Sequence, residues 1–163
     1  MNIKTLMRVT HVRRWHIVAV DREQSVAEHT CRVQLIAAEI CRRFTPNPVT
    51  MFKTIRWALW HDLPEVVVGD IPTPTKKCVN VDALEMATSE EYRTVLELTS
   101  PTVLRMVKAA DLIEAALYME EYGRGGHAKE VYEGILKDLD AFVGDAVDEH
   151  VASVRGEVLN GWS

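Results

Sequence analysis

The stretch Ser25-Val26-Ala27-Glu28-His29-Thr30-Cys31-Arg32-Val33-Gln34-Leu35-Ile36-Ala37-Ala38-Glu39-Ile40 decides the class of the fold. A serine followed three residues later by a glutamate can satisfy two backbone N–H groups at a helix start reciprocally, as a capping box. Val26, His29, Val33, Ile36, Ala37 and Ile40 then recur at three- and four-residue intervals, the spacing that turns one helix face towards a core. The run is expected to stop in Thr45-Pro46-Asn47-Pro48, because proline cannot continue a helix interior. His29 lies on the apolar face and is therefore expected to point inward.

Outward from that helix the pattern stays helical. A second helix is expected after Pro48, with Thr50 as its cap, Met51, Ile55, Ala58, Leu59 and Asp62 on one side, and an end near Leu63-Pro64. The valines of Glu65-Val66-Val67-Val68-Gly69-Asp70-Ile71-Pro72-Thr73-Pro74 permit a strand, while the glycine and prolines permit a helical turn running into a loop; the loop is the preferred reading. A third helix is expected over Val81 to Thr99. A fourth starts at Ser100-Pro101, since proline at the first helical position gives up only an N–H that would be unpaired there. Val103, Val107, Ala110, Asp111, Glu114 and Tyr118 share a face of it. Gly123-Arg124-Gly125-Gly126 is expected to form a loop before a last amphipathic helix carrying Val131, Ile135, Leu139, Phe142, Val143 and Ala146. The expected fold is all-α, one compact bundle domain over residues 1–163 with about five to seven helices and short loops.

With 163 residues, 47% apolar and 26% charged, the chain has the composition of an ordinary globular domain. A net charge of −5 argues against a broad nucleic-acid surface, which relies on many cations neutralising phosphates. A small phosphate-bearing ligand needs only a few, and Arg13, Arg14, Arg22, Lys76 and Lys77 are candidates. The first residues, MNIKTLMRVTHVRRWH, lack the apolar core of a secretory signal, and no run approaches the roughly 18 apolar residues that span a bilayer. A cytoplasmic protein without a membrane partner is expected. Cys31, Cys41 and Cys78 form no CxxC pair and read as free thiols in a reducing compartment.

The chemistry follows from polar residues on inward faces. Burying His29, Asp62 and Asp111 without partners would cost several kcal/mol. A divalent cation compensates such a set, and mixed imidazole and carboxylate donors suit Zn, Mn, Fe, Co or Ni better than Ca. His61, next to Asp62, would complete four ligands. An inward histidine also serves as a hydrogen-bonded core residue, and spacing alone does not separate the two.

His29, His61-Asp62 and Asp111 in Val107-Lys108-Ala109-Ala110-Asp111 resemble the H…HD…D signature of the HD-domain metal phosphohydrolases. Arg14-Trp15, Glu28-His29, Trp60-His61-Asp62-Leu63-Pro64-Glu65 and Gly69-Asp70-Ile71-Pro72-Thr73-Pro74-Thr75-Lys76 resemble the YfbR-like 5′-deoxynucleotidase branch, up to about Tyr122. Chain length and Arg14-Trp15-His16-Ile17 are more similar to the DatZ-type phage dATP triphosphohydrolases, which accompany genomes with 2-aminoadenine in place of adenine. The resemblance implies an HD-domain bundle and a deoxynucleotide phosphohydrolase. His29, His61, Asp62 and Asp111 would hold a divalent transition metal (Zn, Co or Mn), with Mg accompanying a triphosphate. Glu65 and Asp70 would handle water and leaving-group protons, and Arg14 and Lys76 would hold phosphate. Trp15, Ile17 and Pro74 would wall the adenine base, although Trp15 and Ile17 also fit as plain core residues. A homo-oligomer is implied as well. Arg13 stands where the bacterial nucleotidases carry Asn, and residues 80–99 are compressed, so the phosphate count of the substrate stays open. The implied activity is hydrolysis of dATP to deoxyadenosine and triphosphate. Dephosphorylation of deoxynucleoside monophosphates is the alternative, and a non-catalytic, metal-stabilised nucleotide-binding module is an alternative of another class.

Overall fold

The computed structural model describes residues 1–44, 47–76, 78–80, 83–84, 88–142 and 146–160. Thr45-Pro46, Lys77, Val81 and Val143, which the sequence reading uses, lie outside them. A single turn, α1 (Ile3–Leu6), and a 3-10 turn over Met7–Thr10 precede α2 (Val26–Phe44). Helix α2 starts at the capping box. Ser25 Oγ accepts from the Glu28 N–H at 3.2 Å, and Glu28 Oε2 accepts from the Ser25 N–H at 3.0 Å. Val26, His29, Val33, Ala37 and Ile40 are buried, as the periodicity requires.

Helix α3 (Pro48–Trp60) is capped by Asn47 rather than Thr50. Its side chain accepts from the N–H groups of Val49 and Thr50, and Pro48 takes the first helical position. The inward face also differs from the expected one, because the large Trp57 sets the rotation. Thr54, Trp57 and Ala58 are buried, whereas Ile55 and Leu59 face outward. A turn over residues 61–64 leads into α4 (Glu65–Val68), so the valine run is helical before it becomes a loop. Gly69 ends that turn at φ 78°, a conformation in which a side chain would be strained. One further turn, α5 (Thr73–Lys76), follows.

The helix expected over Val81–Thr99 is interrupted. Ser89 is extended, and its hydroxyl caps a new helix, α6 (Glu90–Glu97), by accepting from the Tyr92 N–H. Helix α7 (Pro101–Tyr122) starts at the Ser100 cap. It is buried on more than one face, with Val103, Met106, Ala109, Leu112, Ile113 and Ala116 all inside, because α2, α3, α8 (Gly125–Asp140) and α9 (Ala146–Asn160) pack around it. The expected glycine loop is shorter than Gly123–Gly126, since α8 already begins at Gly125. The expected last helix is two, α8 and α9, the first capped at Ala141. Six helices of eight residues or more, among the described residues, form the all-α bundle.

Between the 3-10 turn and α2, the chain over residues 12–24 is tied down at both ends. Arg13 bridges Ser25 and Val20 bridges Gly123, with Arg14 N–H donating to Gln24 O and Asp21 N–H to Tyr122 O, each at 2.9 Å. A Cβ on Gly123 would sit 2.5 Å from Met119 O, so only glycine permits this close return. No helix among the described residues is long and apolar enough to cross a membrane.

Candidate metal centre and active site

Four separate elements bring their polar residues to one place. His29 comes from the first turn of α2, His61 and Asp62 from the end of α3, Asp111 from the middle of α7, and Arg14 from the tied segment. His29 Nε2 lies 3.3 Å from both Asp62 Oδ2 and Asp111 Oδ1, and His61 Nε2 lies 3.4 Å from Asp62 Oδ2. Donor atoms of His29, His61 and Asp111 lie within 4.8 Å of one another. Asp62 Oδ2 also accepts from Arg14 Nη1 at 2.9 Å, and Asp111 Oδ2 from Lys108 Nζ at 2.8 Å.

The opposite edge of each imidazole is already engaged. His61 Nδ1 donates to Ala58 O at 2.7 Å, and His29 Nδ1 meets Glu114 Oε2 at 2.5 Å. With a proton on Nδ1, the Nε2 lone pairs face carboxylate oxygens, an arrangement that needs positive charge between them. Among the described residues, the buried side-chain polar atoms without a hydrogen-bond partner are Arg14 Nε, His29 Nε2, His61 Nε2 and Glu65 Oε2. All four belong to this cluster, whereas buried polar groups elsewhere are normally paired. Two imidazole nitrogens and two carboxylates suit a divalent transition metal, so His29, His61, Asp62 and Asp111 can hold one.

In the metal-free protein a proton takes that place. Burial and Arg14 oppose charge on His29, but the carboxylates of Asp111, Asp62 and Glu114 around it prevail and raise its pKa from 6.5 to about 10. Burial lowers the pKa of His61. Burial would raise Asp62, yet His61, His29 and Arg14 hold it low; burial would raise Asp111, yet Lys108 and His29 hold it low. Glu65 goes the other way. Burial, then Asp62 and Asp70, push it up to about 9, against Arg14 and Lys76.

The His29 shift has a definite sign. A folded pKa above the unfolded one stabilises the protein fully below about pH 6.5, and that contribution is lost as pH rises through about 10. Chelator-treated protein should therefore lose thermal stability over this window. Stabilisation by added zinc should grow with pH, because metal and proton compete for His29. Melting curves at stepwise pH, with chelator and with zinc, check both; a zinc-induced rise in Tm that ignores pH would contradict the assignment.

The profile of the 5′-deoxynucleotidase YfbR-like family matches residues 2–81. A dATP triphosphohydrolase of Salmonella phage PMBT28 is 34% identical, covering 99% of this chain and 86% of the relative. The chain belongs to the dATP triphosphohydrolase family. A second member, from Acinetobacter phage SH-Ab 15497, is 33% identical over 83% of this chain and 76% of its own. The HD phosphohydrolase DatZ of cyanophage S-2L, solved bound to dA and one catalytic Zn2+ ion, superposes with a TM-score of 0.89 at 24% identity. That alignment covers 99% of this chain and 98% of the other. The chain thus shares the all-α fold of that HD phosphohydrolase.

The other residues singled out from the sequence of this dATP triphosphohydrolase family member divide into two groups. Near the cluster, Lys76 Nζ lies 3.9 Å from Glu65 Oε1, and Asp70 Oδ2 lies 3.6 Å from His16 Nδ1. Trp15 is part-buried, stacked on Tyr118 with centroids 5.9 Å apart. Further out, Ile17 is 51% exposed and Pro74 is exposed. Arg13 pairs with Glu23 at 3.3 Å, and Arg22 pairs with Glu28. Sequence reasoning did not assign roles to Gln24 and Glu114, both fully buried and both bonded into the site. The available signal was Glu114 itself, an acid one turn after Asp111 in an otherwise apolar run.

Proposed function

We propose that this protein hydrolyses dATP to deoxyadenosine and triphosphate, with His29, His61, Asp62 and Asp111 holding one divalent transition metal, zinc in the first instance. The observation that carries the chemistry is the convergence of the unpaired Nε2 atoms of His29 and His61 on the carboxylates of Asp62 and Asp111. The substrate is supported by relatives named dATP triphosphohydrolase at 34% and 33% identity.

When bound, the metal polarises a phosphoryl oxygen and makes a nearby water acidic. The side chains do the rest. Water attacks the α-phosphorus, the bond from phosphorus to the 5′ oxygen breaks, and that oxygen takes up a proton. Glu65, which its surroundings push up to about 9, holds the proton for the leaving oxygen, and Asp70 takes the proton of the attacking water. Arg14 and Lys76 bind phosphate oxygens, and Mg accompanies the triphosphate. Trp15, Ile17 and Pro74 border the base. The chain acts as a single domain, as a homo-oligomer, in the host cytoplasm of a phage whose DNA carries 2-aminoadenine. There it depletes dATP.

The second reading is a 5′-deoxynucleotidase for deoxynucleoside monophosphates, favoured by the family match over residues 2–81. Incubation with each dNTP, each dNMP and 2-amino-dATP, followed by chromatography, separates the two. Deoxyadenosine and triphosphate from dATP, with 2-amino-dATP spared, is the expected result. Inorganic phosphate from several monophosphates would replace it with the second reading, and no product from any would leave a non-catalytic module.

A further inference from the structure

A continuous chain of side-chain hydrogen bonds runs away from the metal pocket through the protein interior. Glu114, fully buried, receives two donors on separate oxygens. His29 Nδ1 reaches Oε2 at 2.5 Å and Gln24 Nε2 reaches Oε1 at 2.7 Å. Arg32 Nε stands 3.4 Å from the same Oε1. The other end of the Gln24 amide accepts from Trp15 Nε1 at 2.9 Å, and the Gln24 backbone carbonyl accepts from the Arg14 N–H. Trp15 holds φ 64°, positive for a residue with a side chain, a conformation that persists only where its surroundings fix it.

We infer that Glu114 and Gln24 are positioning residues: Glu114 sets the His29 imidazole with Nε2 towards the metal, and Gln24 ties that carboxylate to the Arg14–Trp15 segment that meets the substrate. This rests on the ligand reading above. The donor pattern makes the pair directional. An amide at 114 must turn its NH2 towards either His29 Nδ1–H or the Gln24 NH2, so E114Q places donor against donor. The exchange Q24E with E114Q restores the bonds to His29 and to Trp15 and the one between the two side chains, while the Arg32 contact with position 114 is not restored. The new carboxylate at 24 accepts from Trp15 and from the amide at 114, whose oxygen accepts from His29. Outer-shell partners of ligating histidines typically contribute about 10–100-fold in metal affinity.

The test is a chelator-competition titration of zinc against full-length wild type, E114Q, Q24E and the double exchange, with melting curves of the metal-free forms as the folding control. E114Q should bind zinc about 10–100-fold more weakly, and the double exchange should recover most of that loss. Equal affinity of E114Q and wild type would overturn the inference, as would a double exchange that folds but binds no better than E114Q. Should E114Q fail to fold, 15N spectra of zinc-loaded wild type decide instead. A proton on His29 Nδ1 supports the inference, and one on Nε2 refutes it. Wild type that binds no zinc refutes the ligand reading first, a result distinct from intact binding that ignores position 114.

Discussion

His29→Ala should abolish zinc binding and lower dATP hydrolysis by about three orders of magnitude. The argument is one of donors. His29 Nε2 stands 3.3 Å from two carboxylates and has no hydrogen-bond partner of its own, so its removal takes a nitrogen donor out of the centre of the set. Loss of a metal's electrostatic contribution is worth several kcal/mol of barrier, and about 4 kcal/mol corresponds to roughly 10³-fold in rate. The same substitution leaves Glu114 buried without its histidine, which destabilises the core. Asp111→Asn is therefore the companion variant, similar in shape and about one-fifth exposed at the side chain. Zinc retention and rates are measured on whichever variants melt cooperatively. Wild-type turnover in either would remove these residues from the metal site.

Glu65→Gln should separate chemistry from metal binding. Burial and the neighbouring carboxylates keep Glu65 protonated up to about pH 9, and glutamine resembles a protonated glutamate in size and charge. Fold, stability near neutral pH and zinc affinity should stay close to wild type. Proton transfer, however, is gone, and kcat should fall by about 10²–10⁴-fold with a small change in KM. A loss expressed only in KM would make Glu65 a binding residue. Loss of zinc would instead place it among the ligands.

Where the sequence was legible, a short-range physical rule was at work. Ser25 and Glu28 announce a helix start within four residues, and the three- and four-residue spacing behind them turns His29 inward. The ligand candidates converge because each sits one turn from a helix end or on a buried face. Thr50 yields the cap to Asn47 because Pro48 takes the first helical position and so moves the helix start back. Ser89 was hidden in a run of helix formers, and only packing of Tyr92 and Val95 under α3 reveals that a new helix begins there. The roles of Gln24 and Glu114 depend on a contact across 90 residues, which local spacing does not encode. Ile17 and Pro74 read as pocket walls from their motif, and their exposure in the single chain is visible only in three dimensions.

The proposed metal ligands and some of the proposed substrate contacts occupy different kinds of structure. The ligand candidates sit on or beside the packed helices, with Asp111 and Glu114 on the innermost of them, whereas Ile17, Pro74 and Lys76 lie on exposed segments. Surface substitutions of that sort usually change stability by no more than about 0.5 kcal/mol. Selection can therefore exchange one nucleotide preference for another in small steps at nearly constant fold stability, while the hydrolytic machinery is inherited unchanged. A lineage built this way diversifies in what it cleaves long before it diversifies in how.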